Sequence, residues 1–145
     1  MTTSYLAGDI ATEEGRRLVA YRDTRGVWTI GDGHTGPEVH EGLVWTNAQC
    51  DAALRADIAA VYRGLDEHLP WWRTLADVRQ DVLADMAFNL GLKGLLEFRQ
   101  MLAAVQAGNY HRASADMLIS AWANEVGGRA TRLAAMMRLG VRPQS

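Results

Sequence analysis

Residues 14–34 read EGRRLVAYRDTRGVWTIGDGH, and they break sharply with the helical pattern of most of the chain. Glu14 precedes Gly15, a natural C′ glycine for a helix over residues 4–14 in which Leu6 and Ile10 stand at i, i+4 spacing. Leu18, Val19, Ala20 and Tyr21 suggest a strand. Asp23-Thr24-Arg25-Gly26 has the aspartate-first, glycine-fourth signal of a type I turn. Val27-Trp28-Thr29-Ile30 is a strand by composition, with Val27 and Thr29 on one face and Trp28 and Ile30 on the other. Gly31, Gly33 and Gly36-Pro37 then impose turns or a third short strand. The expectation is a β-hairpin or three-stranded meander, with the turn bringing Thr29 across from the residues just before Asp23.

From Thr46 the period changes. Thr46-x-x-Gln49 is a capping-box signature, and Leu54, Ile58, Val61 and Leu65 form one apolar stripe of a long helix that ends before Pro70. Val78, Val82, Met86 and Leu90 predict a second helix closed by Gly91. Leu95, Phe98, Met101, Leu102 and Val105 predict a third, with Gly108 beyond it. Residues 110–122 and 129–139 predict two more, separated by 124–128 and stopped near Gly140. A small sheet followed by helices indicates an α+β fold.

The totals bound the function. With 145 residues, 48% hydrophobic and 22% charged, the chain is expected to be one globular domain rather than a disordered one. A net charge of −2 gives no case for nucleic-acid binding, although fourteen of the fifteen cationic residues are arginine. No signal peptide is visible and no apolar run is long enough for membrane insertion, so the target lies in the cytoplasm or another factor releases the protein. Cys50 cannot form an internal disulfide, which suits a reducing compartment, and is read as packing. His34, His40, His68 and His111 show no metal-ligand spacing, and no cofactor is implied.

Two carboxylates flanking a cleft are the minimum equipment for glycoside hydrolysis: one protonates the leaving oxygen and the other acts at the sugar carbon. Glu14 and Asp23 fit that chemistry. They also fit a solvated helix end and a turn-starting aspartate, and Glu13 competes with Glu14. Thr29 is either a β-propensity choice or a hydroxyl sharing a water with Asp23. His34 reads as a structural histidine paired to a carboxylate. Trp71-Trp72 suits a helix-joining plug better than sugar stacking, and Trp122 suits the core. Phe88-Asn89 ends a helix where the amide either caps the helix or reaches a cleft.

Taken together, Glu14 and Asp23 separated by eight residues, Asp23 and Thr29 by five, then Gly31-x-Gly33-His34, resemble the signature of the phage lysozymes of glycoside hydrolase family 24. Ala76–Arg79 through Met86-Ala87-Phe88-Asn89-Leu90-Gly91 is similar to the core helix of the T-even phage enzymes. Leu95–Leu102, Tyr110–Trp122 and Gly128–Arg132 follow in the same order, so the likeness runs from about residue 6 to 140.

The resemblance implies a lysozyme-like two-lobe fold in a single domain. The β-rich lobe would span about 15–45, a linking helix about 46–69 and a helical lobe about 70–145, with helix 4–14 contributing at the cleft. It implies cleavage of the β-1,4 bond between N-acetylmuramic acid and N-acetylglucosamine in peptidoglycan by inversion. Glu14 would be the general acid, with Asp23 and Thr29 activating a water. Asn89 and Phe88 would lie toward the substrate, Arg129 would pair with Glu14, and Asp57 with His34. The expected setting is a monomeric phage or prophage endolysin, released from the host cytoplasm to the wall by a holin. A virion- or secretion-associated wall-cutting enzyme and a catalytically silent glycan-binding module are the alternatives. The sequence departs from the family at Asp32, where an aromatic or aliphatic residue is usual; a carboxylate there would add charge near the cleft. Residues 35–45 are shorter than in the T-even enzymes, and the acidic balance is unlike that of many basic relatives.

Overall fold

Gly15 makes the first decisive turn. Helix α1 (Thr3–Glu14) stops there, with Gly15 at φ +70° and its N–H donating to the Ala11 carbonyl at 3.1 Å. A side chain in that left-handed conformation would be strained, so the glycine makes the helix exit inexpensive. The computed structural model describes residues 3–143. They divide into two compact units, Thr3–Ala60 and the described residues from Val61 onward, with the boundary inside helix α2 (Asn47–His68).

In the N-terminal unit, β1 (Arg17–Arg22), β2 (Trp28–Gly31) and β3 (His34–Thr35) form an antiparallel meander in that order. The Gly26 N–H donates to the Asp23 carbonyl at 2.9 Å, closing the expected turn. Tyr21 faces Thr29 across the ladder and Arg17 faces Gly31, so a four-residue advance on β1 meets a two-residue advance on β2. This bulge twists β1 locally. The strand expected from Val27 starts at Trp28 instead. Val27 is 44% exposed beside the turn while Thr29 is only 3% exposed. Residues 43–45, where no strand is expected from sequence, cover the outer edge of β1: Trp45 N–H donates to Leu18 O at 2.8 Å and Ala20 N–H to Leu43 O at 2.9 Å. Pairing this edge removes a row of open backbone groups.

Two devices attach sheet and helix within this unit. Thr46 and Gln49 form the expected capping box, with Thr46 N–H donating to Gln49 Oε1 at 2.8 Å and Gln49 N–H to Thr46 Oγ1 at 3.2 Å. His34 on β3 lies 2.8 Å from Asp57 Oδ2 on α2 through Nδ1, the expected pair, and 2.8 Å from Glu38 Oε2 through Nε2. As an imidazolium it donates from both nitrogens. Burial alone would push the His34 pKa down, but the hydrogen bonds and charges of Glu38 and Asp57 outweigh it and hold the pKa above its ordinary value. The hydrogen bond from His34 in turn holds the Glu38 carboxyl below the usual range.

The C-terminal unit is helical: the end of α2, a 3-10 turn (Trp72–Thr74), then α3 (Asp77–Leu90), α4 (Leu92–Leu96), α5 (Arg99–Gln106), α6 (Tyr110–Leu118), α7 (Ala121–Val126) and α8 (Gly128–Leu139). Trp72 is 1% exposed, with Nε1 donating to Asp66 at 2.7 Å, so it is the plug read from sequence. Two predicted helices are broken. The helix expected over 95–105 parts into α4 and α5. Phe98 N–H donates to Leu95 O, an i to i+3 bond that tightens the last turn, and Phe98 leaves helical geometry at ψ +57°. Its ring meets Trp122 edge-on at 6.1 Å, a packing contact that competes with helix continuation. The helix expected over 110–122 ends at Leu118, because Ser120 accepts from Ala123 N–H at 3.2 Å and donates to Met117 O at 2.7 Å, capping α7 while satisfying the end of α6. Residues 124–126, expected to be a separator, are therefore helical, and only Gly127 parts α7 from α8.

Replacing Thr46 with alanine removes one side of the capping box and is expected to lower stability by about 1 kcal/mol in urea unfolding, with no change in slope. The His34 contribution has a defined pH sense. Its folded pKa is raised, so its stabilisation is complete below the unfolded value of about 6.5 and fades as pH rises through the folded value. Glu38, with a depressed folded pKa, loses its share as pH falls below about 4.5. The stability difference between wild type and His34→Asn should thus be largest near about pH 5.5–6.5 and shrink toward alkaline pH. A difference that stays flat from about pH 6 to alkaline pH would show that ionisation of His34 contributes nothing.

Candidate active site

The N-terminal unit sets one acid, Glu14, against a glycine. Glu14, the last residue of α1, is half-buried, whereas Glu13 is exposed, so burial separates the two competing glutamates. The Glu14 carboxylate lies over Gly33: a Cβ on Gly33 would fall 2.7 Å from Oε1 and 3.0 Å from Cδ. Gly33 also stands at φ +82°. The left-handed backbone disfavours a side chain there, and a Cβ would also force the Glu14 carboxylate to move.

Asp23 is both turn-former and candidate acid. Its Oδ1 accepts from Arg25 N–H at 2.8 Å and Val27 N–H at 2.9 Å, while among the described residues Oδ2 accepts no hydrogen bond. Thr29 donates its hydroxyl to the Val27 carbonyl at 2.9 Å, which leaves Oγ1 lone pairs to accept. Tyr21, opposite Thr29 in the ladder, was not singled out from sequence. Arg17 covers its ring at 4.0 Å, and burial, followed by the charge of Glu14, raises the phenol pKa, with Arg17 opposing and Asp23 adding. Tyr21 therefore senses both carboxylates. The hairpin register that places it opposite Thr29 was the available clue.

Asp32 does not stand as a bare charge. It is 3% exposed and receives Arg16 through both carboxylate oxygens, with Nη2 to Oδ2 at 2.7 Å and Nε to Oδ1 at 3.1 Å. The same guanidinium reaches Asp51 at 2.7 Å. The hydrogen bond to Asp32, against the opposing effect of burial, raises the Arg16 pKa well above its ordinary value. Cys50 is buried, and burial raises its thiol pKa, which suits packing rather than nucleophilic chemistry.

In the C-terminal unit, Phe88 and Asn89 lie in the last turn of α3 and are half-buried. Asn89 Oδ1 accepts from Trp122 Nε1 at 2.7 Å, so the amide is held by a side chain rather than capping the helix. Arg129, in the first turn of α8, is 6% exposed and pairs with Asp85 on α3 at 2.8 Å, and Arg132 reaches the same carboxylate at 3.5 Å. Asp85 gave no signal in the sequence beyond being an acid on an apolar helix.

Comparison with known proteins places this arrangement. The family model for phage lysozyme matches residues 11–138. The chain is 29% identical to the pre-baseplate central spike protein Gp5 of Enterobacteria phage T4 over an alignment of 160 positions, covering 93% of this chain and 28% of that protein. It is 34% identical to an endolysin of Bacillus phage B103, covering 83% of this chain and 44% of that one. The chain thus spans less than half the length of these two relatives. An endolysin of Acyrthosiphon pisum secondary endosymbiont phage 1 is 32% identical over 126 residues, 86% of this chain and 82% of its own length. With a family match over residues 11–138 and a relative at 32% identity covering most of both chains, the chain belongs to the phage lysozyme family.

Proposed function

We propose that this chain is a lysozyme that cleaves the β-1,4 bond between N-acetylmuramic acid and N-acetylglucosamine in peptidoglycan, acting as a phage or prophage endolysin. The observation that carries the reading is the grouping, in one compact unit, of a half-buried Glu14 on a side-chain-free Gly33 with a hairpin bearing Asp23 and Thr29. Glu14 has one face against Gly33 and takes the general-acid role toward the leaving oxygen. Asp23 Oδ2 and Thr29 Oγ1 are both acceptors, and a water held by the two has its protons drawn off and a lone pair directed to the sugar carbon. The proposed outcome is inversion at that carbon. Asn89 and Phe88 are proposed to help seat the glycan, and Arg129 to hold its surroundings through Asp85. His34, Asp57 and Glu38 maintain the sheet rather than act on substrate.

Among the described residues no helix is long and apolar enough to cross a membrane. We assign release from the host cytoplasm to a holin and take the acting form to be a monomer. A relative named as a central spike protein favours a second reading, in which the same cleavage serves a virion or secretion apparatus at entry. Immunoblotting of purified virions against cleared lysates separates the two settings.

Glu14→Gln keeps shape and removes the acid. It is expected to slow clearing of outer-membrane-permeabilised Gram-negative cells by roughly 10²–10⁴-fold, with an unchanged unfolding profile. Equal clearing by both proteins would remove Glu14 from the mechanism. NMR of fresh products should show the α anomer first; the β anomer would indicate retention, and a 1,6-anhydro sugar would indicate transglycosylation.

A further inference from the structure

Asp32 occupies a costly position. Its side chain is 1% exposed, and withdrawing a carboxylate from water carries a penalty of several kcal/mol that an ion pair offsets only with good geometry. The Arg16 fork supplies that geometry through three contacts of 2.7–3.2 Å. The location of the pair is what gives it meaning. Asp32 is the middle residue of Gly31-Asp32-Gly33, whose glycines stand at φ +66° and +82°. Glycines on both sides of Asp32 bring conformational freedom, so this turn needs an external restraint to hold one shape. Gly33 carries the surface on which the Glu14 carboxylate rests, and Arg16 follows Glu14 by two residues. On its other side, Arg16 meets the start of α2 through Asp51 at 2.7 Å and Asn47 at 3.4 Å.

We propose that Arg16 and Asp32 are positioning residues for the reaction: their buried ion pair clamps the Gly31–Gly33 turn against the Glu14 carboxylate and ties both to the first turn of α2. The pair touches no reacting atom. It acts by fixing the floor beneath the acid and the chain just after it. A small misplacement of a catalytic group lowers the rate without weakening ground-state binding, since substrate contacts elsewhere survive. An apolar residue at 32 would leave Arg16 to its exposed partner Asp51, so the two positions work as one unit.

The proposal rests on Glu14 as the acid, and the test keeps the two claims apart. Asp32→Asn preserves shape and leaves Arg16 its Asp51 partner, so the cation is not stranded. With soluble glycan fragments, at a temperature where circular dichroism shows full folding, kcat is expected to fall about tenfold with KM within about twofold. Arg16→Lys keeps the charge but loses the fork, and should lose about threefold in kcat, again with little change in KM. If Asp32→Asn does not fold, Arg16→Lys carries the test alone. Wild-type kcat in the folded variants, with thermal midpoints lowered and Glu14→Gln inactive, would overturn the clamp and leave the acid assignment standing. Full activity in Glu14→Gln would overturn both.

Discussion

The N-terminal unit depends on an absence, the missing side chain at Gly33. Any Cβ there would fall within 3.0 Å of the Glu14 carboxylate, and the backbone at φ +82° would be strained for any other residue. From that constraint the local order follows. The helix must end at Glu14 so that its last side chain turns onto the glycine, and Gly15 ends it. The chain must then run out as β1, turn at Asp23 and return as β2 to deliver Gly31–Gly33 to the spot where Glu14 waits. A hairpin whose turn aspartate is also a candidate catalytic acid economises on residues: Oδ1 builds the turn while Oδ2 makes no hydrogen bond in it.

Two ionic devices restrain this glycine-rich unit, and they differ in kind. The His34 bridge joins β3 and the following loop to α2 through groups that water reaches; Glu38 in particular has a side chain 57% exposed. Such pairs are screened by water and salt, so they adjust stability more than they create it. The Arg16–Asp32 pair is nearly dry on its carboxylate side, and breaking it would leave a buried charge without compensation. The device nearer the candidate acid is thus the one less screened by salt.

The C-terminal unit repeats the logic with different parts. Asp85, on the most deeply buried stretch of α3, is 1% exposed and is met by Arg129 and Arg132 from α8. Arg79, also on α3, donates to the Met137 and Arg138 carbonyls and so closes the C-terminal end of the same helix. A cation placed on terminal carbonyls satisfies groups that helix geometry leaves open and opposes the negative end of the dipole. Helix α8 is therefore held at its start by a carboxylate and at its finish by a guanidinium, both projecting from α3.

Much of the layout was legible because it is written in local chemistry. The C′ glycine, the Asp-to-Gly turn, the capping box and the i, i+4 stripes of α2 and α3 each act within a few residues, and the structure carries all of these. The capping of α7 by Ser120 is equally local, but the apolar stripe over 110–122 runs across it and masks the break. The break at Phe98 is different: it reflects an aromatic contact with Trp122, twenty-four positions away in sequence, that no local pattern announces. The same holds for the partners of the buried charges. Asp32 was visible as a misfit in Gly-x-Gly-His, but nothing in the sequence joined it to Arg16, because that link exists only once the hairpin has brought residue 32 back beside residue 16. A charge that looks out of place in a glycine turn is thus better treated as half of a pair whose other half is set by topology, and here the hairpin register tells where to search: Arg17 faces Gly31 on the ladder, so their outer neighbours are Arg16 and Asp32.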